Sequence, residues 1–131
     1  MDVLFGNLSE FLTRFGGTIG LFVLSAIASL ILGVLLAAMR VSPVPAMRAV
    51  GTGYVILLRN TPLTLVLFFF ALGFTKLFFY LPFFLLAVIG LSLYTAAFVC
   101  EVVRGGISTV SAGQSEAARA LGLGFSQTLT L

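Results

Sequence analysis

At 131 residues, 60% hydrophobic and only 8% charged, the chain lies far from a soluble globular domain, in which about a quarter of the residues are charged. Fourteen phenylalanines and a strongly positive mean hydropathy point to lipid as the solvent. The net charge of +3 comes from seven basic residues scattered singly between apolar stretches, which excludes a nucleic-acid-binding patch.

The chemistry-bearing residues are few. Histidine is absent, Cys100 is the one cysteine, and the carboxylates are Asp2, Glu10, Glu101 and Glu116. A zinc site, a Cys–His pair and an internal disulfide are therefore excluded, and Cys100 in its apolar run reads as a small buried residue. No G-x-x-x-x-G-K-S/T phosphate loop is present. The expectation is a protein that is not an enzyme and needs no cofactor. Any ATP hydrolysis coupled to it belongs to another polypeptide.

In chain order, residues 1–15 carry Asp2 and Glu10 and no basic stretch ahead of the apolar run, so a cleaved signal peptide is not expected. A membrane span needs about 20 apolar residues. The stretch 17–39 supplies an uncharged run of that kind and is the first predicted span. Its small residues Gly16, Gly20, Ser25, Ala26, Ser29, Gly33 and Ala37 recur at helical spacing, as on a helix packed closely in a bundle. A loop over 40–48 with Pro43, Pro45, Arg40 and Arg48 follows. The second predicted span, 50–74, is interrupted by Arg59 and Pro62. A turn over 75–82 with Lys76 leads to the third span, 83–103, which holds Glu101 near its end. Arg40, Arg48, Arg59, Arg104 and Arg119 fall to one side of such a bundle, and Arg14 and Lys76 to the other. The basic residues therefore place the first loop and the segment 104–124 in the cytoplasm, with the N-terminus outside. The predicted fold is all-α, a polytopic transmembrane bundle of three spans in the plasma membrane.

Within these spans, Arg59 is a charge inside an apolar stretch, costly unless it snorkels, pairs or faces water. Pro62 breaks the helical hydrogen-bond ladder, and broken helices at membrane depth border cavities. Arg59, Asn60, Thr61 and Pro62 are thus candidates for a solute pathway, while snorkelling of Arg59 to the interface remains equally open. Glu101 and Arg104, three apart, are expected to form a structural ion pair, with a gating role as the alternative. A Glu101–Arg59 pair between helices is conceivable and undecided by the sequence. Ser92, Tyr94 and Thr95 read more readily as packing groups than as substrate contacts.

The segment 101–124 is polar and rich in small residues. Its centre, 111–122, is built as a short helix. Ser111 and Gln114 form a capping box, Ala117, Ala118, Ala120 and Leu121 favour helix, and Gly122 sits where a left-handed C-terminal residue belongs. Glu116 and Arg119 can pair along one face. By helix physics alone this is equally a plain surface helix or one shaped to fit a partner's groove.

The residues Glu116-Ala117-Ala118, with Gly122 four positions on, resemble the EAA motif of bacterial ABC-importer permeases. Arg59-Asn60-Thr61-Pro62-Leu63 and Glu101-x-x-Arg104-Gly105-Gly106-Ile107 precede it in the order of the polar amino-acid uptake subfamily, and the wording is most similar to actinobacterial glutamate-uptake permeases. The resemblance runs from the first span to the end of the chain. It implies a transmembrane subunit of an ATP-driven amino-acid importer. Glu116, Ala117, Ala118 and Gly122 would couple it to a cytoplasmic ATP-binding subunit, Glu116 by a charge-assisted hydrogen bond. It also implies a second permease subunit, identical or related, an extracellular solute-binding protein and an amino-acid substrate. The family's permeases are longer, and the hydrophobic-x-Leu-Pro that follows the EAA glycine would fall just past Leu131. The resemblance therefore implies that the last spans are absent here. A secondary transporter or pore, which has no need of the EAA-like segment, and a non-functional fragment are the competing readings.

Overall fold

The computed structural model describes residues 6–78, 80–109, 112–122 and 124. Helix α1 spans Leu8–Val41, α2 Pro45–Arg59 and α3 Leu63–Phe68. A π-helical segment, Phe69–Phe74, continues α3 into the single turn α4, Thr75–Leu77. Helix α5 spans Phe83–Thr109 and α6 Ala112–Ala120. Helices α1 and α5 are long and apolar enough to cross a membrane. The stretch from Pro45 to Leu77 qualifies only as a pair of helices, bent by 99° at the break between Arg59 and Leu63. The stretch 50–74, read from the sequence as one interrupted span, is therefore two pieces at nearly a right angle.

The first helix begins at Leu8 rather than near 17. Leu8, Phe11, Leu12 and Phe15 recur at helical spacing, and Glu10 pairs with Arg14 one turn on at 3.4 Å. At 34 residues, about 51 Å of rise, α1 exceeds the roughly 30 Å hydrocarbon core. Phe22, Ile31 and Leu35 stay exposed along it, as on a lipid-facing side.

What α1 buries is small: Ser25, Ser29, Gly33 and Ala37, each one turn from the next. This stripe packs on α5. The two helices run parallel: Gly20 faces Phe84 near one end, Gly33 faces Val99 and Ala96 further along, and Arg40 meets Glu101 at the other end. Apolar surface gains little by moving from lipid to protein, so close contact through small residues, by dispersion, holds such a pair. Ser29 donates to the carbonyl of Ala26 and Ser92 to that of Val88, which satisfies hydroxyls that would be costly in lipid. Ala37, Val55, Ala97 and buried Cys100 form a core where α1, α2 and α5 meet, flanked by Leu36, Tyr54, Leu58 and Val103.

Gly33 is the tightest point. A Cβ there would lie 2.5 Å from Val99 Cβ and 3.1 Å from the Ala96 carbonyl oxygen. Gly33→Ala must push α1 and α5 apart, at about 1–3 kcal/mol for an overpacked contact. At Gly17 a Cβ meets open space. Thermal unfolding of the detergent-solubilised protein should fall for Gly33→Ala and hold for Gly17→Ala.

Candidate functional site

Helix α2 ends because Pro62 has no N–H and restricts the residue before it. Asn60 takes φ −92° and ψ 0°, and its amide still reaches the carbonyl of Ile56 at 3.2 Å. The side chains of Asn60 and Thr61 complete the ending. Asn60 Nδ2 donates to Ile56 O at 2.7 Å, and Thr61 Oγ1 to Leu57 O at 2.8 Å. These donors, read in the sequence as available to a solute, are turned back on their own helix to cover carbonyls of its last turn. Pro62 itself caps the next helix, its carbonyl accepting from the amides of Leu65 and Val66.

The elbow puts Arg59 beside Glu101, and Glu101 turns out to be the hub of the site. Arg40 Nη1 donates to its Oε1, and Arg104 Nη2 donates to its Oε2 at 3.0 Å. Arg59 Nη1 lies 3.6 Å from Oε1. Three guanidiniums, one each from α1, α2 and α5, thus surround a single carboxylate on α5. Exposure falls from 46% for the Arg59 side chain and 39% for Arg104 to 14% for Arg40. The expected Glu101–Arg104 pair is present, and the Glu101–Arg59 pair that the sequence left undecided is formed. Arg40, read in the sequence only as a topology signal, is the most buried partner. No local pattern pointed to it, because it depends on two distant helices ending side by side.

Tyr54 was also missed. Its hydroxyl donates to the carbonyl of Leu93 at 2.6 Å and ties α2 across α5. Tyr54 and Leu93 wall an apolar cavity of about 340 Å³ with Leu65, Phe69 and Phe70. A second cavity of about 300 Å³ lies under Arg59 and Glu101. Tyr94, read as a packing group, stacks on Phe98 with ring centres 5.2 Å apart.

The segment after α5 forms α6. It carries Glu116 and Ala117, both exposed, and half-buried Ala118. Gly122 has φ +78°, the one positive φ among the described residues, and closes the helix as its position suggested. The capping box of Ser111 lies outside the described residues, as does the Arg119 side chain expected to pair with Glu116. Among the described residues no group of histidine, cysteine or carboxylate side chains could hold a metal ion.

Long apolar helices packed through small residues, with Arg40, Arg59, Glu101 and Arg104 clustered at one end of the bundle, define an integral membrane protein. The chain belongs to the family of binding-protein-dependent transport system inner membrane components, whose profile matches residues 29–131. It is 48% identical to the glutamate transport system permease protein GluC of Corynebacterium efficiens, over 96% of this chain and 61% of that protein. The GluC of Corynebacterium glutamicum is 44% identical, over 98% of this chain and 62% of its own length. The crystal structure of an amino acid ABC transporter with histidines superposes with a TM-score of 0.80 at 27% identity, covering 96% of this chain and 60% of that one. The chain thus spans about three fifths of the length of the relatives it matches.

The cluster predicts an order of sensitivity. Glu101→Ala leaves three guanidiniums facing one another and should cost the most, about 3 kcal/mol or more. Arg40→Ala, the most buried partner, should come next. Arg59→Ala removes a long, half-exposed contact and also relieves repulsion, so its cost should stay below about 1 kcal/mol. Melting temperatures of the purified complete permease, with a double-mutant cycle on Glu101 and Arg40, check the order.

Proposed function

We propose that the chain is the transmembrane subunit of an ATP-driven importer of a polar amino acid, glutamate first among the candidates. The observation that carries this reading is its identity of 44–48% to two glutamate permeases across nearly its whole length. In this reading the chain crosses the plasma membrane three times, the bent pair α2 to α4 making the second crossing. The N-terminus is outside and α6 is in the cytoplasm. A solute-binding protein delivers the amino acid from outside, and a second permease subunit completes the pathway. Closure of two ATP-binding subunits, where hydrolysis occurs, moves α6 and through it the spans. Arg59, Asn60, Thr61 and Pro62 line the pathway at the elbow. Asn60 and Thr61 act there by shaping the break, since the Thr61 hydroxyl and one N–H of the Asn60 amide donate to carbonyls of α2. Glu116, Ala117, Ala118 and Gly122 form the docking element: small side chains allow close approach, and the left-handed glycine turns the chain sharply away.

Orientation is tested by single cysteines in a Cys100→Ala background. Ser108→Cys should react with an impermeant thiol reagent only from the cytoplasmic side, and Leu77→Cys only from outside; both positions are exposed. Labelling of Ser108→Cys from outside would refute both the topology and ATPase docking.

Coupling is tested at Gly122. A Cβ there meets nothing within 4 Å, so the cost of Gly122→Val is backbone strain, about 1–3 kcal/mol, concentrated at the docking element. In the complete permease, membrane level should be unchanged while co-purified ATP-binding subunit and substrate-stimulated ATP turnover fall. Glu116→Ala should act in the same direction with a smaller effect. A complete permease that co-purifies with no ATP-binding subunit would leave the importer reading without support.

A further inference from the structure

Arg59 is the unsatisfied member of the Glu101 cluster. Arg40 and Arg104 each donate a hydrogen bond to the carboxylate. Arg59 reaches Oε1 only at 3.6 Å, too far for a hydrogen bond. Among the described residues its other neighbour of note is the ring of Phe98, 5.7 Å from the guanidinium carbon. A guanidinium carries five N–H donors, and among the described residues those of Arg59 have no acceptor within hydrogen-bond distance. The buried Nε atoms of Arg40 and Arg104 also lack one. Three positive charges face one negative charge, an excess of two. Beside this excess lies a cavity of about 300 Å³ lined by Val55, Ile56, Arg59, Asn60 and Glu101, at the lower end of the size range of small-molecule sites.

We infer that this cavity is a carboxylate subsite, in which Arg59 receives a carboxylate of the transported amino acid and Glu101 holds its place when the permease is empty. The inference rests on the amino-acid importer reading. The cluster already displays the recognition chemistry, since Glu101 is itself a carboxylate seated among these guanidiniums. The exchange strands nothing. When Arg59 turns to a solute, Glu101 keeps its hydrogen bonds to Arg40 and Arg104, and the incoming anion lowers the excess charge. A guanidinium fork fits a lipid phosphate as well as a carboxylate, so the test separates the two sources.

The complete permease with its ATP-binding subunit is placed in nanodiscs of phosphatidylcholine alone or with phosphatidylglycerol. Binding of radiolabelled L-glutamate is measured without the solute-binding protein. Arg59→Gln should weaken binding about 10- to 100-fold, the range for a lost charge-assisted hydrogen bond. Arg59→Lys should fall between, and Arg14→Gln, at an exposed pair far along α1, should bind as the wild type does. In the wild type, sodium acetate should compete and methylammonium chloride at equal ionic strength should not; this arm needs no variant. Unchanged affinity in Arg59→Gln, or no competition by acetate, overturns the subsite. If Arg59→Gln instead sheds phosphatidylglycerol and keeps its glutamate affinity, the anion is a lipid phosphate and the assignment to solute falls. Uptake by the wild type in proteoliposomes separates the two readings. Glutamate uptake with Arg59-independent binding removes only the subsite, whereas no uptake of any amino acid removes the importer reading beneath it.

Discussion

One carboxylate gathers the structure. Glu101 accepts from Arg40 and Arg104 and pairs with Arg59, so a single side chain fixes the relative placement of α1, α2 and α5 at one end of the bundle. In a membrane the apolar contacts between helices do little to choose one arrangement over another, because lipid satisfies a leucine as well as a neighbouring helix does. A charge has no such indifference. Arg40 at 14% exposure has to find an anion, and Glu101 supplies it. The small core of Ala37, Val55, Ala97 and Cys100 lies at the same junction of α1, α2 and α5. There the slender residues admit the close approach that lets the guanidiniums converge.

The elbow is the second constraint, and it is local. Pro62 denies the ladder a donor, the Thr61 amide reaches the Leu58 carbonyl in its place, the side chains of Asn60 and Thr61 cover the carbonyls of Ile56 and Leu57, and the chain turns through 99°. Because the bend follows Arg59 directly, it sets the guanidinium beside α5 and not on a lipid-facing surface. The π-helical segment Phe69–Phe74 and the contact of Gly90 with Leu67 and Phe70 then seat the second arm against α5. Tyr54 ties the first arm to the same helix through the carbonyl of Leu93. Both arms are therefore held by α5 on either side of the corner.

Much of this was legible in the sequence wherever the cause was local. The stripe of Ser25, Ser29, Gly33 and Ala37 declared the packed face of α1 by its spacing. Pro62 announced the break, and Gly122 the left-handed end of α6. The parts that were not legible depend on pairs far apart in the chain. Arg40 looks like any arginine at the end of a span until a parallel neighbour brings Glu101 to the same level. Tyr54 carries no local sign of a carbonyl partner 39 positions on. Residues 8–16 contain charges and so failed the test for an apolar run, although their helical spacing was there to be seen. The size of the bend was hidden for a different reason. A proline states that a ladder is broken, and only packing against α5 states which way the two halves then point.

The pairing of Arg40 with Glu101 also has a consequence for how the chain is made. The two residues are 61 positions apart. At about 5–20 residues per second of synthesis, Arg40 is in place for roughly 3–12 seconds before its counter-charge exists. During that interval α1 stands with its stripe of small residues uncovered and its terminal arginine unneutralised. The basic loop next to Arg40, which carries Arg48, keeps that end at the water interface meanwhile. The first helix therefore packs on α5 late, once that helix arrives beside it, and the pairing of the two waits on contacts as far apart in the chain as Arg40 and Glu101.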